Sequence, residues 1–121
     1  MTRLSTFFLS AALMTMGANA AMAASPSSVN CSALGVTITF DAAVTGSAAD
    51  ATKVGIGSSS SGPFMALSSS STVEVESGTT LTILLTEDDV ITHESVLTGS
   101  CYVQVQSGFT SEVTASSSHS G

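Results

Sequence analysis

The residues with the greatest chemical range in this chain are its two cysteines, Cys31 in "SSVNCSALG" and Cys101 in "TGSCYVQVQSG". Cys101 opens a run in which every second residue is apolar. Its sulfur therefore shares a face with Val103 and Val105, while Tyr102, Gln104 and Gln106 take the opposite face. A nucleophilic cysteine acts as a thiolate, beside a base and in partial contact with water. His93 stands upstream of Cys101, but a thiol set among valines has a raised pKa and stays protonated. Two cysteines in a small exported chain instead form a pair. A Cys31–Cys101 disulfide is the expectation, joining the first strand region to the penultimate one.

Metal chemistry is the next candidate. Met65, His93, Cys101 and His119 include the ligand types of a blue-copper site. Such a site holds two His and one Cys together with an axial Met, and here Met65 is far upstream and His119 is in the tail. The acidic run Glu87-Asp88-Asp89, with Glu94 and either Asp41 or Asp50, has the oxygen ligands that calcium takes. It lacks the alternating acidic spacing of a dedicated calcium loop and reads first as a solvated acidic segment. No metal or cofactor is expected, with Glu87, Asp88, Asp89 and Glu94 kept as weak calcium candidates.

Hydrolytic chemistry fares no better. Paired-carboxylate hydrolysis of a sugar needs two acids facing across a cleft, usually with aromatics to stack the ring. The acids here fall on outward strand faces or in one segment. Past the first 23 residues the aromatics are Phe40, Phe64, Tyr102 and Phe109. There is no G-x-S-x-G elbow for a serine nucleophile and no glycine loop to cradle phosphate between a strand and a helix. The expectation is a non-catalytic protein.

The elements that position these residues follow a leader. "MTRLSTFFLSAALMTMGANAAMAAS" has Arg3 near its start, an apolar run and then small residues at A-x-A spacing. That is the grammar of a secretory signal peptide, with Ala21-Met22-Ala23 as the first choice of cleavage site and Ala18-Asn19-Ala20 as the second. The apolar run is shorter than the ~20 residues a membrane-spanning helix needs. Residues 1–23 are thus expected to be removed, with no membrane insertion afterwards and a periplasmic, extracellular or cell-surface location in a bacterium.

From Ala24 on, Lys53 is the only Lys or Arg against nine carboxylates, a net charge of −8. One cation cannot neutralise a row of phosphates, so nucleic acid and anionic lipid are excluded as partners. An acidic surface suits solubility and attraction to cationic groups.

The chain from 24 to 115 is one small domain by length and carries a period-two pattern almost throughout. In "GVTITFD" Val36, Ile38 and Phe40 alternate with Thr37, Thr39 and Asp41. "TKVGIG", "PFMAL", "STVEVES", "TTLTILLT", "CYVQVQ" and "FTSEVTA" continue the series, the last with Phe109, Ser111, Val113 and Ala115 on one face. In "STVEVES" Val73 and Val75 are expected inside and Glu74 and Glu76 outside. The serine runs Ser58–Ser61 and Ser68–Ser71 read as loop tips around one short strand. "TEDDVITHESVL" is left between a loop with a short strand at Val90-Ile91 and a single helical turn capped by Thr86. The tail 116–121 has nothing to bury and is expected to be disordered.

Seven short strands between Gly, Ser and Asp turns predict an all-β fold: an antiparallel two-sheet sandwich of immunoglobulin-like type with one disulfide. With catalysis set aside, the expected role is a structural or interaction module of a cell-surface fibre, adhesion layer or biofilm matrix. The alternative is a soluble periplasmic chaperone or assembly inhibitor for an exported, curli-like fibre subunit. A periplasmic ion- or ligand-binding domain comes third. The expected partner is a protein, joined by β-strand addition at the face that carries Tyr102, Gln104 and Gln106.

Overall fold

A computed structural model describes residues 23–121, so the proposed signal peptide and its cleavage motifs lie almost wholly outside the described residues. Eight strands and one helix follow in order: β1 (Pro26–Ser32), β2 (Gly35–Phe40), β3 (Val54–Gly57), β4 (Met65–Ala66), β5 (Thr72–Val75), β6 (Thr80–Leu84), α1 (Glu87–Leu97), β7 (Tyr102–Val105) and β8 (Ser117–Ser120). They form two four-stranded sheets, ordered β1-β2-β6-β5 and β4-β3-β7-β8. Every pairing is antiparallel.

The period-two residues do what their spacing requires. Val36, Ile38, Phe40, Leu81 and Ile83 line the inner face of the first sheet, and Val54, Ile56, Val103 and Val105 line that of the second. Each such aliphatic side chain removed from water contributes about 1.5–3 kcal/mol, so this double row supplies most of the driving force for pairing the sheets. On the outer face of the first sheet the register aligns Asn30, Thr37, Thr82 and Glu74 in one row. The Thr37 and Thr82 hydroxyls hydrogen-bond there at 3.1 Å. These β-branched residues suit a half-exposed pleated surface.

Four expectations change. The seven runs read as strands leave out β1, whose Ser- and Pro-rich sequence has no clear alternation, and Cys31 lies within it. The segment "FTSEVTA" is not a strand. Gly108 N–H donates to Val113 O at 2.9 Å and Val113 N–H to Thr110 O at 3.1 Å, which closes a compact loop. Gly108 enters it at φ +94°, a left-handed conformation that glycine adopts without strain. Phe109 and Val113 are buried by this loop, while Ser111 and Ala115 are exposed. The loop satisfies two apolar residues four apart, which a strand would also have placed on one face.

The tail is a strand and not a disordered end. β8 pairs with β7 along Ser117–Ser120 because the open edge of β7 offers backbone groups that need partners, whatever the side chains. Lastly, "TEDDVITHESVL" forms a full helix of 11 residues. The Thr86 hydroxyl caps it, accepting from Asp89 N–H at 3.2 Å, and Glu87, Asp88 and Asp89 occupy its first turn, where carboxylates complement the helix dipole. His93 and Leu97, one turn apart, are its buried residues. Among the described residues no helix is long and apolar enough to cross a membrane.

Candidate partner-binding surface

Cys31 and Cys101 are disulfide-bonded, with their Cα atoms 6.5 Å apart, and no cysteine is left as a thiol. The bond joins β1 of one sheet to the residue before β7 of the other. It therefore fastens the sandwich along the side where β1 and β8 meet. Gly121 closes over it: its N–H donates to Cys101 O at 2.7 Å, and a Cβ there would lie 2.6 Å from Cys31 Sγ.

The other ligand-type residues are dispersed. His93 is buried under α1, Met65 is exposed on β4, and His119 lies on β8 with Nε2 2.9 Å from Ser117 Oγ. Asp89 Oδ2 accepts from Ser68 N–H at 2.9 Å, which ties the start of α1 to the turn before β5. Glu87, Asp88 and Glu94 share the helix with it but do not converge. Among the described residues no three His, Cys, Asp or Glu side chains are grouped to hold a metal ion, and no cavity is enclosed.

Two carboxylates outside the expected sites have strong local partners. Asp50 Oδ1 accepts from Thr52 Oγ1 at 2.6 Å and Thr52 N–H at 3.0 Å, bonds that lower its pKa and cap a short 3₁₀ turn, Ala51–Lys53. Glu112 accepts from Thr45 N–H at 3.0 Å and Thr45 Oγ1 at 2.8 Å. The Thr45 amide is the largest cause of its pKa falling from 4.5 to about 2. A carboxylate with a depressed folded-state pKa stabilises the fold fully above its unfolded value and loses that contribution as pH falls through the folded value. The contribution of Glu112 is thus present above about pH 4.5 and lost towards pH 2. Because the group is partly solvated it is of the order of 1 kcal/mol. Urea midpoints measured across that window should fall less steeply for Glu112→Gln than for the parent. Parallel slopes would show that the Thr45 bonds contribute nothing.

Tyr102, Gln104 and Gln106 do face outward, opposite the buried Val103 and Val105, and Gln106 Nε2 donates to Gln104 Oε1 at 3.3 Å. Their strand is not at an edge. β7 pairs with β3 on one side, Tyr102 opposite Gly57 and Gln104 opposite Gly55, and with β8 on the other, Tyr102 opposite Ser120 and Gln104 opposite Ser118. Phe64 covers the two glycines on this face: a Cβ on Gly55 or Gly57 would fall 3.0 or 3.1 Å from it. An added strand cannot pair with β7, because both its sides are occupied.

The open edges lie elsewhere. β4 and β5 end their sheets on the side away from the disulfide. β4 has only two residues, whereas β5 has four. Among the described residues, Thr72–Val75 hydrogen-bond to β6 alone, so one side of the β5 backbone faces solvent. Val73 and Val75 stand opposite Ile83 and Leu81, on the core side of the sheet. Val75 is nevertheless 59% exposed, against the expectation that it lies inside. The 3₁₀ turn Gly46–Ala48 packs against it, since a Cβ on Gly46 would lie 2.6 Å from Val75 Cγ2, but among the described residues no further strand covers its outer flank. The signal for this edge in the sequence is Glu74 and Glu76 on a short strand, a common guard against uncontrolled strand pairing.

Fold and surface together define a disulfide-bonded, mostly β domain of two antiparallel sheets, with a short helix and, in β5, a four-residue terminal strand on the side away from the disulfide. Compared with known protein families, curated proteins and solved structures, the chain finds no match.

Proposed function

We propose that this chain is an exported, non-catalytic β-sandwich module of immunoglobulin-like type, acting as a structural or interaction protein in a bacterial cell-surface fibre, adhesion layer or biofilm matrix. The observation that carries this reading is the solvent-facing β5 edge with its half-uncovered valines, set in a domain fastened on its opposite side. Main-chain groups on such an edge can add a strand from a partner.

The strand orders support the immunoglobulin-like type. β1-β2-β6-β5 corresponds to strands A-B-E-D, and β3-β7-β8 to C-F-G, with β4 added beside C. Two features depart from antibody domains: the disulfide joins the A and F positions, and a helix connects E to F. The disulfide and the leader grammar support export, since such bonds persist in oxidising compartments. β8 fills the position of the last strand, so the domain needs no donated strand to complete its second sheet.

A second reading, a soluble periplasmic chaperone or assembly inhibitor, is favoured by one observation: the acidic guards Glu74 and Glu76 resist self-stacking. Fractionation of the producing cell separates the two. The structural reading expects the mature protein in the extracellular or surface-bound fraction, and its deletion to weaken the matrix. A protein confined to the periplasm that slows growth of a co-exported fibre would establish the second reading instead.

A further inference from the structure

We propose that the β5 edge is a docking site for an extended cationic segment of a partner polypeptide, one in which Lys or Arg alternates with branched apolar residues. The inference rests on the interaction-module reading above and gives its partner a chemistry.

Three features of the edge fix that chemistry. Among the described residues its backbone is paired only with β6, so hydrogen-bonding groups along Thr72–Val75 are left to extend the sheet. Its side chains alternate: Val73 and Val75 lie towards the core side, while Glu74 shares the outer face with Thr82, and the exposed Glu76 follows in the turn, its N–H donating to Thr80 O at 2.9 Å. An incoming strand would thus set one row of its side chains beside Val73 and the 59%-exposed Val75, which also touches the turn at Gly46, and the other row against the glutamates.

The electrostatic surroundings have one sign. Thr72 pairs with Leu84, two residues before the Thr86 cap, and Ser68 N–H bonds Asp89 Oδ2. These contacts set the first turn of α1, with Glu87, Asp88 and Asp89, at the Thr72 end of the edge. Glu74 and Glu76 therefore border the edge itself, and the three carboxylates of the first turn of α1 lie beyond its Thr72 end. The one cation among the described residues, Lys53, precedes β3 in the other sheet. The field along this edge attracts a cationic strand and speeds its encounter.

The same charges reject a second copy of the chain. Antiparallel pairing of β5 with its own copy would bring glutamates of both onto one face, within about 4.5–8 Å of one another, where like charges destabilise. Edge chemistry that repels itself and accepts an opposite charge separates a partner from self-stacking by a repulsive term as well as an attractive one.

The test uses the mature protein and end-blocked peptides of about seven residues, the length of an ordinary strand. One alternates Val and Lys, a second has the same composition in two blocks, and a third alternates Val and Glu. Binding is followed by backbone amide shifts. The alternating Val–Lys peptide should perturb Thr72–Glu76 and weaken as salt is raised. The block and Val–Glu peptides should bind at least about tenfold more weakly, as expected from losing two or three cross-strand pairs. Equal affinity for the block peptide, shifts centred on Tyr102–Gln106, or no shift with any peptide would overturn the proposal.

A second experiment needs no peptide. The parent is mixed with a Glu74→Lys/Glu76→Lys variant, whose substitutions are at exposed sites and whose folding is checked by its melting curve. The mixture should associate more than either protein alone in sedimentation, and equal behaviour of all three samples would also overturn the proposal. Neither experiment depends on where the protein resides in the cell. Failure here, with the protein still found in the matrix, would remove the β5 site and leave the module reading standing.

Discussion

Replacing Phe109 by alanine is expected to destabilise the domain by about 3–5 kcal/mol, the usual cost of deleting a fully buried aromatic ring. Phe109 has no exposed surface, and its ring stacks on Phe40 with centroids 6.2 Å apart and planes 18° from parallel. The loop that carries it is also a junction. Asp50 N–H donates to Phe109 O at 2.8 Å, and Phe109 N–H donates to Gln106 O at 3.1 Å. The ring thus plugs the end of the sandwich, while its backbone ties the segment before β3 to the end of β7. Little of the cavity can be refilled, because Phe40 is held by pairing with Pro26 on one side and by its N–H bond to Thr79 O at 2.7 Å on the other. A domain of about 100 residues has a total stability of about 5–15 kcal/mol. The variant should therefore melt more than about 10 °C below the parent. A loss under about 1 kcal/mol in urea titration would mean that Phe109 is not a core residue.

The second large effect is expected from the disulfide. The Cys31→Ala/Cys101→Ala variant should lose about 2–4 kcal/mol. The bond spans 70 residues, and the chain-entropy argument gives about 4 kcal/mol for a loop of that size, reduced by residual structure in the unfolded chain. The loss should be concentrated where the bond acts. Among the described residues β1 is an edge strand paired only with β2, and Cys31 is its covalent tie to the opposite sheet. Amide exchange along Pro26–Ser32 and Ser117–Ser120 should accelerate more than exchange in β6. A variant with the parent's stability and exchange pattern would show that the sheets hold together without the bond.

What was legible in the sequence was what period two and cysteine arithmetic can carry. The inward rows of β2, β3, β6 and β7 follow from alternation, and the disulfide follows from two cysteines in a small chain whose sequence opens with the grammar of an export signal. β1 and β8 were not legible as strands, because their formation is decided by neighbours. Serines at 117, 118 and 120 form a strand because β7 leaves backbone groups to be paired, and no local propensity says so. α1 was legible only at its cap. Val90, Ile91 and Thr92 are β-branched and weaken helix propensity, and Ile91 is 68% exposed, so no apolar stripe marks the helix.

The candidate site shows the same division. Side-chain direction on β7 was readable, with Tyr102, Gln104 and Gln106 outward. Whether that strand is internal or terminal depends on sheet order, which alternation does not encode. Glu74 on β5 and Glu76 just after it were readable as outward acids. Their role as the border of an open edge emerges only once β5 is seen to have one neighbour.

The central claim is that this domain engages partners along the β5 edge. Backbone amide exchange of the mature protein, alone and then bound to matrix material from the producing cell, tests it most directly. The account expects slower exchange on binding at Thr72–Glu76, with β7 unchanged. Protection that appears instead at Tyr102–Gln106, or bound protein with no protection at Thr72–Glu76, would contradict it.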